Sequence, residues 1–274
     1  MEKGLNRLMG KVAVITGSTK GLGKATAMKF AREGCKVVVS GRDEEAGNAV
    51  VGTIAADGGE AIFVRADVGV EADVRNLVES AVSRWGKLDI LVNNAAPSDF
   101  IAEGGEESVE DQPTENWEFM FRTCITGPFW ACKYATPHMK KAGGGSIVNI
   151  SSSSSKVGLK KLVSYSSAKG AMNAFTRQVA VEYGEFGIRS NSIIVGYVPS
   201  GGNASQKVLD DPVTRAAVEK MSLTRMGRPE DVAYACLVLS TDEAEFLTGI
   251  EFVVDGGMLI QPPVAEVRGP DGKS

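Results

Sequence analysis

Tyr165 and Lys169 stand four positions apart in SYSSAK, so a helix through them turns both side chains to one face. A free phenol has a pKa of about 10 and transfers protons poorly at neutral pH. An ammonium held beside it stabilises the phenolate, lowers that value and lets the phenol exchange a proton with an alcohol or carbonyl oxygen. The spacing alone is a common accident. What gives it meaning is the order of the elements around it.

The most telling of these elements lies near the start of the chain. KVAVIT (Lys11 to Thr16) is a short β-branched run followed by Gly17, Gly21 and Gly23 in the pattern T-G-x-x-x-G-x-G. The segment LGKATAMKFARE comes next, with Leu22, Ala25, Met28 and Phe30 mostly along one helical face. Strand, glycine turn and helix in this order form a phosphate cradle. Glycine allows a tight turn and close backbone approach, and the helix N-terminus offers unpaired N–H groups to a pyrophosphate. Gly17, Ser18, Thr19, Lys20, Gly21, Leu22 and Gly23 are therefore read as dinucleotide contacts.

Cofactor choice is read about 20 residues beyond such a cradle, where an acid would bond the ribose 2′-hydroxyl of NAD. Here Gly41 and Arg42 hold that place. A guanidinium can take a 2′-phosphate in a bidentate, charge-assisted contact, and Lys20 could add a second cation, which predicts NADP(H). The alternative is that both are solvent-facing charges, with Asp43 pairing Arg42. Asp67, after AIFVRA, is read as a partner of the adenine amino group or as a cap on the following helix.

The strand-and-helix alternation continues with KVVVS (Lys36 to Ser40), AIFV (Ala61 to Val64), DILVN (Asp89 to Asn93), SIVNIS (Ser146 to Ser151), SNSIIV (Ser190 to Val195) and EFVVD (Glu251 to Asp255). Seven strands separated by helical stretches predict an α/β doubly wound, Rossmann-like fold with a parallel sheet covered on both faces. The 274 residues read as a single domain, with a core from about 10 to 257 and a polar tail over 261–274. A helix from roughly Glu115 to Lys141 contains Pro128 and Pro137 and is expected to kink or break there.

A formal charge of −4 argues against nucleic acid as the main ligand, since phosphate-backbone binding needs a concentrated basic surface. No apolar run approaches the roughly 20 residues that span a bilayer, and MEKGLNRLMGK lacks the apolar core of a secretion signal, so a cytoplasmic protein is expected. Cys35, Cys124, Cys132 and Cys236 are scattered, and His138 is the one histidine, so no metal site is expected.

With these residues in view, the chain resembles the short-chain dehydrogenase/reductase family from about Gly10 to Gly257. TGSTKGLG, the Ala66-Asp67 pair, NNAA (Asn93 to Ala96), SIVNISS, YSSAK, VGYVPS and VDGG stand in the family's order and spacing. The resemblance implies that Tyr165 is the general acid in carbonyl reduction and the general base in alcohol oxidation. It implies that Lys169 also bonds the nicotinamide ribose, and that Ser152 holds the substrate oxygen; Ser151, Ser153, Ser154 and Ser155 read as a polar strand exit. Val68, Asn94, Ala95, Gly196 and Val198 complete the expected cofactor contacts. A homotetramer is also implied, built through the long helix and the tyrosine-bearing helix.

One departure from the family stands out. Its usual asparagine in the long helix, which helps hold a water chain to the catalytic lysine, aligns with Cys124, a much weaker hydrogen-bonding group. The relay is expected to be rebuilt by neighbours such as Thr123 or Thr126, or to work more slowly. Milder departures are Ala96 for the last glycine of NNAG and Val195 for the proline of the usual PG pair.

Substrate choice is expected in Ala95 to Gln112 and Tyr197 to Met226, the latter resembling a mobile lid with Gly201 and Gly202 as hinges. Val208, Leu209, Val213, Val218 and Met221 suggest an apolar inner face or ordinary amphipathic packing. Seven acids between Asp99 and Glu115 make an anionic substrate unattractive, leaving a neutral ketone, aldehyde or alcohol. The expected function is NADP(H)-dependent interconversion of carbonyl and alcohol. The competing reading is a catalytically weak nucleotide-binding sensor or scaffold of the same fold.

Overall fold

The computed structural model describes residues 4–199 and 203–260. Each apolar run read from the sequence is a strand: β1 (Val12–Ile15), β2 (Lys36–Gly41), β3 (Glu60–Arg65), β4 (Ile90–Asn93), β5 (Gly145–Ser152), β6 (Ile188–Val195) and β7 (Glu251–Val254). They form one all-parallel sheet in the order β3-β2-β1-β4-β5-β6-β7. The helices are α1 (Gly21–Arg32), α2 (Glu44–Ala56), α3 (Glu71–Trp85), α4 (Ser98–Ala102), α5 (Thr114–Phe121), α6 (Gly127–Ala142), α7 (Val163–Tyr183), α8 (Asn203–Asp210), α9 (Pro212–Glu219) and α10 (Pro229–Ser240). Gly201, Gly202 and the stretch 261–274 lie outside the described residues.

Why the strands read as continuous apolar runs is visible in how alternate side chains divide. Ala13, Ile15, Val37, Val39, Ile90, Val92, Val148 and Ile150 face one core with α1, α2 and α10. Val12, Val14, Val38, Leu91 and Ile147 face the other with α3, α6 and α7. Successive strand residues point to opposite faces, so a sheet covered on both sides needs apolar residues at every position. Among the described residues no helix is long and apolar enough to cross a membrane.

The long helix is interrupted, though not in the way its prolines suggest. α5 runs into a π turn at Arg122–Thr126, where the Gly127 N–H donates to the Arg122 carbonyl five residues back, and α6 then begins. Pro128 lies in the first turn of α6 and has no N–H to return to Cys124, so the extra residue of the π turn absorbs the missing bond. Pro137 sits inside α6 without ending it. A Cβ on Gly127 would come within 2.5 Å of the Val68 carbonyl, so this junction presses against the loop after β3.

The N-terminal segment is fastened by a buried charge. Glu33, 1% exposed, accepts from the Arg7 guanidinium at 3.0 Å and the Arg7 amide at 3.3 Å, and pairs with Lys29 at 3.0 Å. Burial pushes the Glu33 carboxyl up, but the hydrogen bonds from Arg7 and Lys29 outweigh it and hold the pKa at about 2. A carboxylate held below its unfolded value stabilises the fold above that value and loses the contribution as pH falls toward 2. Glu33→Gln should therefore be less stable than the parent at pH 7, by about 3 kcal/mol, with the gap closing below pH 4. Urea unfolding midpoints at pH 7 and pH 3 measure this; a gap that does not shrink contradicts it.

Candidate active site

A cleft of about 290 Å³ opens at the carboxyl ends of the central strands. It lies at the point where the strand order turns from β1 toward β4, where open α/β sheets leave a crevice between connections on opposite faces. Gly17, Thr19, Lys20, Leu22, Arg42, Asp67, Val68, Asn94, Ala95, Ser152, Tyr165, Lys169, Gly196 and Val198 all line it. Ser18, Gly21 and Gly23 do not. The Ser18 hydroxyl donates to the Ile15 carbonyl at 2.7 Å and accepts from the Ser40 amide at 2.9 Å, so it ties the turn to β2.

The glycine turn is built for a ligand rather than a side chain. Gly17 has φ +63°, and a Cβ there would lie 2.8 Å from the Ala95 Cα. A Cβ on Gly23 would lie 2.4 Å from the Gly17 carbonyl. Behind the turn, the Asn94 amide donates to the carbonyls of Thr16 and Gly17 at 2.9 Å each, while the Thr16 hydroxyl accepts from the amides of Asn94 and Ala95 at 2.9 and 3.0 Å. α1 starts from Lys20 with no side-chain cap and no acid in its first turn. Its amides are thus left to an anion, which is what the pyrophosphate of a dinucleotide supplies.

The two cations expected at the ribose end differ in their surroundings. Lys20 pairs with Asp99 of α4 at 2.5 Å, a contact across the cleft mouth that the sequence did not suggest. Arg42 is exposed and has no ion pair among the described residues. Asp43 does not pair it, because that carboxylate caps α2 by accepting from the Ala46 amide at 3.0 Å. Asp67 accepts from the Gly69 amide at 2.8 Å, and the residue that begins α3 as its cap is Val70, not Asp67.

At the other end, α7 presents Tyr165 and Lys169 to the cleft. Lys169 is 2% exposed; its ammonium donates to the Ile150 carbonyl at 2.7 Å and lies 5.5 Å from the Tyr165 ring centre. An ammonium has three donors, and among the described residues one is taken by protein, leaving two for polar ligand atoms. The Ser152 oxygen accepts from the Ser154 amide at 3.2 Å and from the Ser154 hydroxyl at 3.0 Å. With its lone pairs so engaged, the Ser152 proton is free to be donated into the cleft. Ser151 also lines the cleft, but its hydroxyl donates to the Lys169 carbonyl at 3.2 Å, and Ser155 donates to the Ser152 carbonyl at 2.6 Å.

Cys124 is fully buried in the π turn, with its thiol 3.7 Å from the Met120 sulfur. Burial pushes its pKa up; the Lys169 ammonium opposes this and the Glu106 carboxylate adds to it. A thiol so held is a packed apolar group. Thr123 lines the cleft and Thr126 does not, so of the two threonines expected to serve a relay only Thr123 reaches it.

Two expectations about the substrate region change. The acids of the first loop are largely engaged: Asp99 with Lys20, Glu107 with Lys161 at 2.9 Å, Asp111 with the Ser108 hydroxyl at 2.6 Å, and Glu106 buried. The lid presents no apolar face to the cleft: Val213 is 78% exposed, and the half-buried Val208, Leu209, Val218 and Met221 do not line it. Pro97, Phe119 and Thr123 line the cleft instead, with Phe100 edge-on to Phe119 at 4.9 Å.

A family model described as enoyl-(acyl carrier protein) reductase matches residues 17–259. The chain belongs to the short-chain dehydrogenase/reductase family. Within that family it is 38% identical over 252 residues to an oxidoreductase of Thermotoga maritima, covering 90% of this chain and 97% of that one. It is equally similar, 38% over 253 residues with 92% and 97% covered, to a 2,5-dichloro-2,5-cyclohexadiene-1,4-diol dehydrogenase of Sphingobium indicum. Among solved structures, a 7α-hydroxysteroid dehydrogenase in complex with NADH and 7-oxo glycochenodeoxycholic acid superposes with a TM-score of 0.85 at 34% identity, covering 92% of this chain and 95% of that one. The chain is accordingly an oxidoreductase of a family that binds nicotinamide cofactors.

The close approach at the glycine turn makes a direct test. Gly17→Ala combines an unfavourable φ with a backbone clash against Ala95, so it should cost about 1–3 kcal/mol of stability and weaken nicotinamide dinucleotide binding. Fluorescence titration of the reduced cofactor and thermal unfolding both report it; an unchanged affinity would show that the turn does not hold the ligand.

Proposed function

We propose that this protein is an NADP(H)-dependent reductase that interconverts a neutral ketone or aldehyde with its alcohol. The observation that carries the reading is the convergence of Ser152, Tyr165 and Lys169 on the same cleft as the glycine turn and Arg42. The reduced cofactor supplies a hydride when bound. The chain's own groups handle the charge and the proton. The Ser152 hydroxyl, its acceptor sites filled by Ser154, donates to the substrate oxygen as negative charge builds on it. Tyr165 gives that oxygen its proton, and in alcohol oxidation it takes the proton away. The buried Lys169 ammonium lies beside the phenol ring, and its spare donors suit ribose hydroxyls.

The case for NADP rests on Arg42, an exposed cation just after β2 with no ion pair among the described residues and no acid in the place where one would bond a 2′-hydroxyl. Lys20 is a weaker support, because a phosphate must compete with Asp99 for it. Two relatives are named for cyclic secondary alcohols or their ketones, and the Phe119 wall suits such an apolar body. The reading keeps a single cytoplasmic domain that assembles as a homotetramer.

Purified protein should oxidise NADPH with a member of a panel of cyclic and acyclic ketones, and Tyr165→Phe should lower kcat by about a hundredfold or more. Cofactor binding with no turnover across the panel would favour the sensor reading. Arg42→Ala should raise KM for NADPH by about tenfold while leaving that for NADH nearly unchanged, the value of a charge-assisted phosphate contact. A parent enzyme that prefers NADH contradicts the assignment.

A further inference from the structure

Glu106 has no place in the chemistry outlined above, yet it is 5% exposed, deep for an ionisable side chain in a loop. Its carboxylate lies against the first turn of α7. One oxygen accepts from the Ser164 amide at 3.0 Å; the other accepts from the Tyr165 amide at 2.8 Å and from the Ser164 hydroxyl in a short contact. α7 supplies no cap of its own: it begins after Leu162, makes no side-chain cap bond and has no acid in its first turn. A residue 58 positions upstream therefore serves the orphan donors of the helix that carries the proposed proton donor, and one of those donors is the amide of Tyr165 itself.

The loop that holds Glu106 is itself fixed from several sides. Gln112 and Asn116 donate to the Gly105 carbonyl at 3.1 and 3.2 Å, the Glu107 amide donates to the Gln112 side chain at 2.6 Å, and Gln112 also reaches the Ser164 hydroxyl at 3.3 Å. This loop follows Pro97 and Ser98, which line the cleft. A shift of the loop is thereby transmitted to the turn on which the phenol is mounted.

We propose that Glu106 is a positioning residue that sets the placement of Tyr165 and links it to the substrate-side loop. The inference rests on the reading of Tyr165 as the proton donor. Removing the carboxylate frees the first turn of α7, and a small displacement of a catalytic group is enough to slow chemistry without weakening a cofactor held largely by other elements. Glutamine retains one acceptor oxygen but turns an N–H₂ toward the remaining donors, so it should be less harmful than alanine.

The test uses the full chain, with NADPH oxidation on a ketone that the parent turns over and NADPH affinity by nucleotide fluorescence. Glu106→Gln should lower kcat by about tenfold and Glu106→Ala by more, with NADPH affinity within about twofold of the parent. Glu107→Gln, whose partner is the surface Lys161, should keep the parental kcat. A kcat within twofold in Glu106→Gln, a loss matched in NADPH affinity, or an equal loss in the Glu107→Gln control overturns the proposal. Should the variants not fold, hydrogen exchange of the parent decides: the Ser164 and Tyr165 amides should exchange slowly for first-turn positions, and fast exchange overturns it. Tyr165→Phe at parental kcat would instead refute the proton-donor reading and leave the exchange result standing, so the two failures are distinguishable.

Discussion

β1 hydrogen-bonds to β2 on one side and to β4 on the other, and the helices that follow these strands leave on opposite faces. The connection after β1 goes to the face of α1, and α3 brings the chain back to β4 on the other face. Between them the backbone at the end of β1 has no helix above it. That gap is the cleft. Thr16 and Asn94 keep it in shape: each bonds across from one strand end to the other, so the glycine turn cannot drift from the loop after β4. Together with the Ser18 hydroxyl, which donates to the Ile15 carbonyl and accepts from the Ser40 amide, these contacts hold the glycine-bearing turn in place.

A second string of polar contacts places the end of the cleft that holds Ser152, Tyr165 and Lys169. Asn93 at the end of β4 donates to Asn149 of β5 at 2.8 Å, which donates to Thr176 of α7 at 2.9 Å. All three are buried, where an unpaired amide would cost about 1–3 kcal/mol, so α7 is held in one register against the sheet. Ser155 accepts from Asn173 of the same helix at 3.0 Å while donating to the Ser152 carbonyl at 2.6 Å. The serine at the end of β5 and the tyrosine and lysine on α7 are thus parts of one rigid assembly rather than of two independent elements.

The sequence was most legible where function and local geometry coincide. All seven strands could be read, because burial on both faces leaves runs such as Val12–Ile15 and Val37–Val39 with no polar interruption. The glycine turn was legible for a similar reason: its chemistry lies in one short segment between a strand and a helix. Pro128 signalled an interruption by removing the N–H that would return to Cys124, but that the interruption takes the form of a π turn was not legible in the local pattern. Contacts between residues far apart in sequence left no trace. Asp99 reads as one acid among seven until the fold sets it against Lys20, and Glu106 reads as another until the fold buries it under α7. Of the two readings of the lid's apolar positions, the inner face toward the cleft fails, and Val208, Leu209, Val218 and Met221 are half-buried away from it, on two short helices that break at Asp211 or just beyond them.

Two buried ionisable side chains, Lys169 and Glu106, act on Cys124, and this bears on the departure from the family's asparagine. Lys169 and Glu106 both act on the thiol, in opposite senses, and burial outweighs them. Each charge has its own partners: the Ile150 carbonyl for the ammonium, the α7 amides and the Ser164 hydroxyl for the carboxylate. Neither needs a polar side chain at position 124, and the thiol packs against Met120 and Ala168 as a small apolar group would. Cysteine at this position therefore leaves the packing of the fold intact. Thr123, one residue earlier, is the hydroxyl of the π turn that lines the cleft, whereas Thr126 does not.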